Sequence, residues 1–279
     1  MSLRLPGLAL IGFGEAGSTF ARAGKWGSHA RAFDIDEDRR SAMAECGVEI
    51  CEDAAQALDG SHLVLSLVTA DSALDAAREA AARIAPGAIW CDMNSIAPET
   101  KRAAAEAIEG AGARYVDVAV MAPVDPRALA VPLLLSGGAA QEAMAQLYAL
   151  GFEHSRIVGE EVGRASAIKM IRSVMVKGLE ALSFECAAAA DAAGVLDEVL
   201  ASLDASEARL TWAERIAYNR ERMETHGVRR AAEMEEAAQT LLDLGIEPVM
   251  TRGTVKLQRQ AARARTAKPQ AASERKTPA

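Results

Sequence analysis

Lys169 lies in the helical stretch GRASAIKMIRSVMVKGLE (163–180), between Ile168 and Met170. Lysine serves as a base near neutrality when partial burial or neighbouring cations lower its pKa. The helix alone leaves two readings open, a solvated charge or a catalytic one. Ile168, Ile171, Met175, Leu179 and Leu182 step by three and four along one apolar face. Lys169, Arg172, Ser173, Lys177 and Glu180 step the same way along another, as a solvated face or one lining a cleft would. His29, His62 and His154 have no carboxylate at a telling spacing and read as structural or exposed.

The second constellation is Gly12-Phe13-Gly14-Glu15-Ala16-Gly17, directly after the apolar run LALI. The first glycine of such a loop allows a tight turn, the second admits a pyrophosphate to the backbone, and the third lets helix pack on strand. The following helix start offers free N–H groups to phosphate oxygens. Asp34 falls 20 residues after Gly14, where a carboxylate meets the adenosine ribose. It repels a 2′-phosphate, so the expected cofactor is NAD. NADP is the alternative, should Arg31, Arg39 or Arg40 turn inward.

Positioning these groups falls to alternating elements. Strand-length apolar runs lie at 8–14, 30–34, 48–51, 63–68, 88–93, 115–120 and 132–138, with Ala-rich helical stretches such as 72–84 and 97–112 between them. Apolar strands alternating with helices predict βαβ units around a parallel sheet. After about Val158 only helical segments follow, at about 163–193, 195–216, 228–244 and on to about 262. The expected fold is therefore α/β, a doubly wound, mainly parallel Rossmann sheet over 1–160 followed by an all-α domain over 161–262. Residues 263–279 read as a disordered tail, rich in Ala, Pro and Lys.

The chain has 279 residues, half of them hydrophobic, and a formal charge of −8. Residues 251–279 carry eight Lys/Arg and one Glu, a net of +7, which leaves −15 on the rest. That balance argues against wholesale nucleic-acid binding. The four cysteines (Cys46, Cys51, Cys91, Cys186) show no metal-ligand spacing. They read as reduced core thiols of a cytoplasmic protein without a metal. MSLRLPGLALIGFG reads as a first strand and not a signal peptide, and no stretch of ~18 apolar residues free of charge suggests a membrane span.

The glycine loop, then DMNSIAP (92–98), DVAVMAP (117–123) and GEEVGRASAIKMIRS (159–173), resemble in order the β-hydroxyacid dehydrogenase superfamily. Its members include 6-phosphogluconate dehydrogenase, 3-hydroxyisobutyrate dehydrogenase and the imine reductases. The resemblance implies an NAD(P) site of Gly12, Phe13, Gly14, Glu15, Ala16, Gly17, Asp34, Val68, Thr69, Asn94 and Ser95. It makes Lys169 the acid/base, with Ser173 where the family usually has Asn. It places Val120, Met121 and Ala122 at the substrate, although the family's glycine pair is absent there. Arg172, Lys177, His226 and Arg229 are further candidates for holding an anionic small-molecule substrate. The last two equally fit a salt-bridged helix start, since Arg229 and Glu233 are four apart. The helical stretch 222–250 resembles a subgroup with a short phosphogluconate-dehydrogenase-like helical domain, which implies a homodimer through uncovered apolar helix faces. The implied activity is hydride transfer between NAD(P) and a small hydroxy acid or its oxo form. The other readings are imine or carbonyl reduction on the same fold, and a dinucleotide-binding sensor without turnover.

Overall fold

Short runs of β-branched and aliphatic residues build a central sheet whose side chains alternate between two covered faces. The computed structural model describes residues 7–205, 211–243 and 248–267. The chain divides into two compact units, Met1–Met170 and Ile171–Ala279. The first contains strands β1 (Leu8–Ile11), β2 (Ala30–Phe33), β3 (Glu49–Ile50), β4 (Leu63–Ser66), β5 (Ile89–Asp92), β6 (Arg114–Val120), β7 (Leu133–Ser136) and β8 (Ser155–Gly159). They form one sheet in the order β3-β2-β1-β4-β5-β6-β7-β8. Every pairing is parallel except β6 with β7, which is antiparallel.

The helices of this unit are α1 (Glu15–Gly24), α2 (Arg39–Glu45), α3 (Ala54–Leu58), α4 (Ala73–Ala81), α5 (Pro98–Gly110), α6 (Ala140–Ala149) and the start of α7 (Arg164–Ala193). Leu8, Leu10, Leu63, Leu65, Ile89, Val116 and Val118 point to one face, against Phe20 and Ala21 of α1, Met43 of α2 and Leu147 of α6. Ala9, Ile11, Val64, Trp90 and Tyr115 point to the other, against α3, α4 and α5. Each large side chain so buried contributes ~1.5–3 kcal/mol, which stabilises a three-layer stack. The strand order reverses between β1 and β4, and loops at the carboxyl ends of those neighbours flank the crevice where ligands bind in such sheets.

The sequence reading differs from this architecture at several points. Strand β8 was not expected, because SRIVG holds only two strongly apolar residues. The first unit runs past 160 into α7, whose first turn is bonded to the sheet. The second unit holds the rest of α7, α8 (Leu196–Asp204), α9 (Trp212–Asp243) and α10 (Val249–Ala267). Residues 206–210, within the helix expected over 195–216, lie outside the described residues. No helix starts at 228. His226 and Arg229 sit well inside α9, whose Gly227 lets α10 approach so closely that a Cβ there would lie 2.2 Å from the Gln258 carbonyl oxygen. Helix α10 continues to Ala267, past the expected start of the tail at 263. Residues 268–279 lie outside the described residues.

The polar stripe of α7, expected to be solvated or to line a cleft, is buried at Ser173, Lys177 and Glu180 and exposed at Arg172, while the apolar stripe is uncovered, as expected. Ile171, Met175 and Leu179 are 50%, 66% and 45% exposed. Lys177 and Glu180 are buried because partners await them. Lys177 pairs with Glu233, and Arg230 with Glu180.

Candidate functional site

The glycine loop begins where β1 ends. Gly12 has φ +95°, and a Cβ there would lie 2.6 Å from the Leu67 carbonyl oxygen, so only glycine fits. A Cβ on Gly17 would lie 2.7 Å from the Gly12 carbonyl oxygen, which is how closely α1 approaches the turn. A Cβ on Gly14 would meet nothing within 4 Å. Two glycines are therefore demanded by the protein's own packing, while the third keeps open a space that the packing does not fill. Gly14 caps α1 with no side-chain hydrogen bond, leaving N–H groups of the first turn for an anion. This cradle fits a dinucleotide pyrophosphate.

Phe13 contributes backbone only, because its ring is fully buried in the core. Its N–H donates to Asp34 Oδ2 at 2.5 Å, and the Asp36 N–H donates to Asp34 Oδ1 at 2.9 Å. Asp34 thus orders the loop while keeping lone pairs for a hydroxyl. The three arginines that could reverse its charge are occupied. Arg31 bonds Glu49 at 3.2 Å, Arg39 lies 3.0 Å from Asp36, and Arg40 makes a two-pronged contact with Glu52 at 3.0 and 2.7 Å. Leu67 and Val68, just beyond β4, lie against Gly12. Next to them Thr69 is exposed and donates to Asp71.

Beyond β5 the chain turns through Asn94 and Ser95. Asp92 Oδ1 accepts the Asn94 backbone N–H at 2.9 Å and its Nδ2 at 2.8 Å, and Asn94 Nδ2 also donates to Ser66 Oγ at 2.9 Å. Asn94 Oδ1 is buried without a hydrogen-bond partner among the described residues. A buried carbonyl oxygen in that state suits a ligand N–H, such as that of a carboxamide. Ser95 Oγ accepts a hydrogen bond from Lys169 Nζ. The half-buried Lys169 is reached because α7 begins on the sheet and brings it round within its second turn. Ala165, one turn earlier on the same face, packs with Ala119 and Leu134, and Met121 packs against that cluster. Met121 and the half-buried Ala122 follow Val120, the last residue of β6. The Met121 N–H donates to the Pro132 carbonyl at 2.9 Å, and Pro123 has no N–H to offer.

Behind this loop lies a charge cluster that the sequence reading did not single out. Lys101 of α5 is fully buried, with Nζ 2.9 Å from Asp92 Oδ1 and 3.4 Å from Asp117 Oδ1. The Tyr115 hydroxyl donates to Asp92 Oδ2 at 2.5 Å, and burial, then the Asp92 charge, pushes its pKa well up. One signal was available. Lys101, Ala104, Ala105 and Ile108 step along the buried stripe of α5, where a lysine is out of place unless it is paired.

The remaining candidates belong to the second unit. Ser173 is buried one turn beyond Lys169 on α7, and Arg172 is exposed. Lys177 and Arg229 meet on the two oxygens of Glu233, the second at 2.7 Å. Burial lowers the pKa of Lys177 and the Glu233 charge partly restores it. His226 is half-buried on the preceding turn of α9. Among the described residues no group of His, Cys, Asp or Glu could hold a metal ion, and no helix is long and apolar enough to cross a membrane.

Comparison with known proteins bears on this geometry. Residues 7–150 match the NAD binding domain of 6-phosphogluconate dehydrogenase, and residues 190–261 match a domain of unknown function, DUF1932. A conserved hypothetical protein from Sinorhizobium meliloti is 37% identical in a solved structure, with TM-score 0.73, covering 98% of this chain and 93% of its own. The 3-hydroxyisobutyrate dehydrogenase of Pseudomonas aeruginosa is 27% identical over 162 residues, 56% of this chain and 51% of its own. Mycobacterium tuberculosis 3-hydroxyisobutyrate dehydrogenase with L-serine shares the fold at 16% identity, with TM-score 0.76 and coverage of 93% and 94%. A reductive aminase from Aspergillus terreus with NADPH, cyclohexanone and allyl amine shares it at 18%, with TM-score 0.60 and coverage of 94% and 95%. With the glycine cradle, the parallel sheet and these matches together, the chain belongs to the β-hydroxyacid dehydrogenase superfamily.

Proposed function

We propose that the protein is an oxidoreductase that moves a hydride between NAD and the hydroxyl-bearing carbon of a small hydroxy acid, with Lys169 as acid/base. NAD, when bound, supplies the hydride acceptor. Gly12, Gly14, Gly17 and the first turn of α1 would hold its pyrophosphate, Asp34 its adenosine ribose, and Asn94 its carboxamide. The carrying observation is the Lys169–Ser95 hydrogen bond, which brings an amine to the loop beyond β5 in the same unit as the glycine cradle. In oxidation the neutral amine takes the hydroxyl proton at Nζ. In reduction the ammonium returns it to the carbonyl oxygen. Ser95 orients the amine throughout, and Ser173 supports it from the next turn.

NAD is preferred over NADP in this reading, supported by the Asp34 carboxylate and by the pairing of Arg31, Arg39 and Arg40 with other carboxylates. Arg172 and His226 remain the proposed contacts for the substrate's anionic end, while Lys177 and Arg229 are engaged by Glu233. A homodimer through the exposed Ile171, Met175 and Leu179 is part of the same proposal. So is a cytoplasmic location, supported by the free thiols of Cys51 and Cys91.

A second reading, reduction of an imine or an uncharged carbonyl, is favoured by one feature. The Met121 N–H is already used and Pro123 has none, so this turn is poorly suited to hold a carboxylate. The test is nicotinamide absorbance with either cofactor, first on 2- and 3-hydroxy acids, then on ketones with and without amines. Lys169→Ala should lower kcat by ~10²–10⁴. Turnover of ketone–amine mixtures alone would transfer the assignment to the second reading. Absence of all turnover with intact NADH binding would leave a sensor.

A further inference from the structure

Helix α7 starts without a side chain of its own to cap it, since Gly163 stands at the capping position. Its free N–H groups are satisfied from the sheet instead. Asp117 Oδ2 accepts from the Gly163 N–H at 3.2 Å and the Ser166 N–H at 2.9 Å, and Ser136 Oγ accepts from the Ala165 N–H at 3.0 Å. Asp117 and Ser136 are register partners across β6 and β7, and the Ser136 hydroxyl donates to Asp117 at 3.2 Å. The carboxylate also faces the positive end of the helix, where negative charge is favoured. On its other side it faces Lys101, the fully buried ammonium that donates to the Asp92 carbonyl and side chain. Asp92 in turn shapes the turn that ends at Ser95.

The contacts therefore close a ring: Ser95, Lys169, the start of α7, Asp117, Lys101, Asp92 and back to the Ser95 turn. We propose that Asp117 is a positioning residue, acting through the start of α7 to hold the Lys169 ammonium on the Ser95 hydroxyl. The proposal rests on reading Lys169 as the acid/base for its functional meaning, but the positioning itself is measurable without a substrate. Lys169 lies within two turns of the cap. A rigid helix transmits a displacement of its start to that side chain nearly undiminished, and catalytic geometry tolerates little of it.

The readout is the relative rate at which Lys169 is trace-acetylated by acetic anhydride at neutral pH, resolved by mass spectrometry against the exposed Lys25. Ser95→Ala removes the acceptor and should raise the Lys169 rate about threefold, the equivalent of one net hydrogen bond. Asp117→Asn weakens the cap, because a neutral amide oxygen accepts the Gly163 and Ser166 N–H groups less strongly and the negative charge favoured at the helix start is lost. It should raise the rate comparably, and the double variant should go no further than Ser95→Ala alone, because both act on one contact. A lowered Tm with wild-type labelling in Asp117→Asn would reduce the residue to a structural role and overturn the proposal, as would effects that multiply in the double variant. Should Asp117→Asn not fold, Ser136→Ala, which removes the cap of Ala165, takes its place with the same outcomes. NADH binding should be unchanged in Asp117→Asn and Ser136→Ala, since neither side chain belongs to the glycine cradle or to the turn at Ser95. Coupled labelling in a protein without turnover would overturn the catalytic reading of Lys169 and leave the positioning intact.

Discussion

Asp34 carries two duties on one carboxylate. Its oxygens hold the Phe13 and Asp36 N–H groups, and in the proposed cofactor site they would present negative charge where the 2′-phosphate of NADP would lie. Binding of NAD should exceed that of NADP by about tenfold or more, ~1.4 kcal/mol, because like charges are brought together in the second case. Asp34→Asn keeps an acceptor and removes the charge, so titration by NADH and NADPH fluorescence should show the gap closing from the NADP side. Cys91 offers a different single-group test. Burial, then the neighbouring Asp92 charge, pushes its thiol from 9.0 up to about 12. The folded protein therefore keeps a proton that the unfolded chain releases near 9.0, and stability falls as pH rises from about 9 towards 12, by up to ~1.4 kcal/mol per pH unit. Tyr115 adds in the same direction above its ordinary 10.0. Urea midpoints should drop with rising pH, and Cys91→Ala should reduce the slope just above pH 9.0, leaving the part that Cys46 and Cys51, also raised by burial, contribute.

On helix α7 the polar stripe, not the apolar one, departs from the sequence reading. Two stripes are plain in its sequence, and ordinary patterning assigns the polar one to solvent. Within the second unit the polar stripe is the buried one, because α9 and α10 bring Arg230, Glu233 and Gln258 to meet Lys177 and Glu180. Such pairs are costly to break rather than strongly stabilising to make. Glu180→Ala strands Arg230, whose side chain is 4% exposed, and should destabilise the unit by ~3–5 kcal/mol in urea unfolding followed by helical circular dichroism. The surface pair Arg31–Glu49 is the contrast. Its side chains are 34% and 46% exposed, and Glu49→Ala should cost no more than ~1 kcal/mol. Equal losses from the two variants would refute this account of the buried cluster.

The apolar stripe left outside is the surface that the proposed homodimer would cover. Ile171, Met175 and Leu179 rise along one face of α7 and are exposed among the described residues. Light scattering at micromolar concentration should return twice 29.4 kDa, and Met175→Glu should return one chain. A monomeric wild type would remove the dimer from the functional proposal. The glycine loop, Asp34, seven of the strands and the segregation of helices into the second half were all legible in the residues. Each depends on local chemistry: backbone freedom at glycine, the two-residue period of strands and the apolar runs that two covered faces require. Strand β8, the antiparallel entry of β7, the buried ring around Lys101 and the burial of Lys177 and Glu180 on α7 were not legible. They depend on which distant segment arrives beside a given side chain. Asp117 reaches Gly163 across 46 residues and Lys177 reaches Glu233 across 56. A charge becomes an interior residue only when the fold delivers its partner, and no spacing along the chain encodes that meeting.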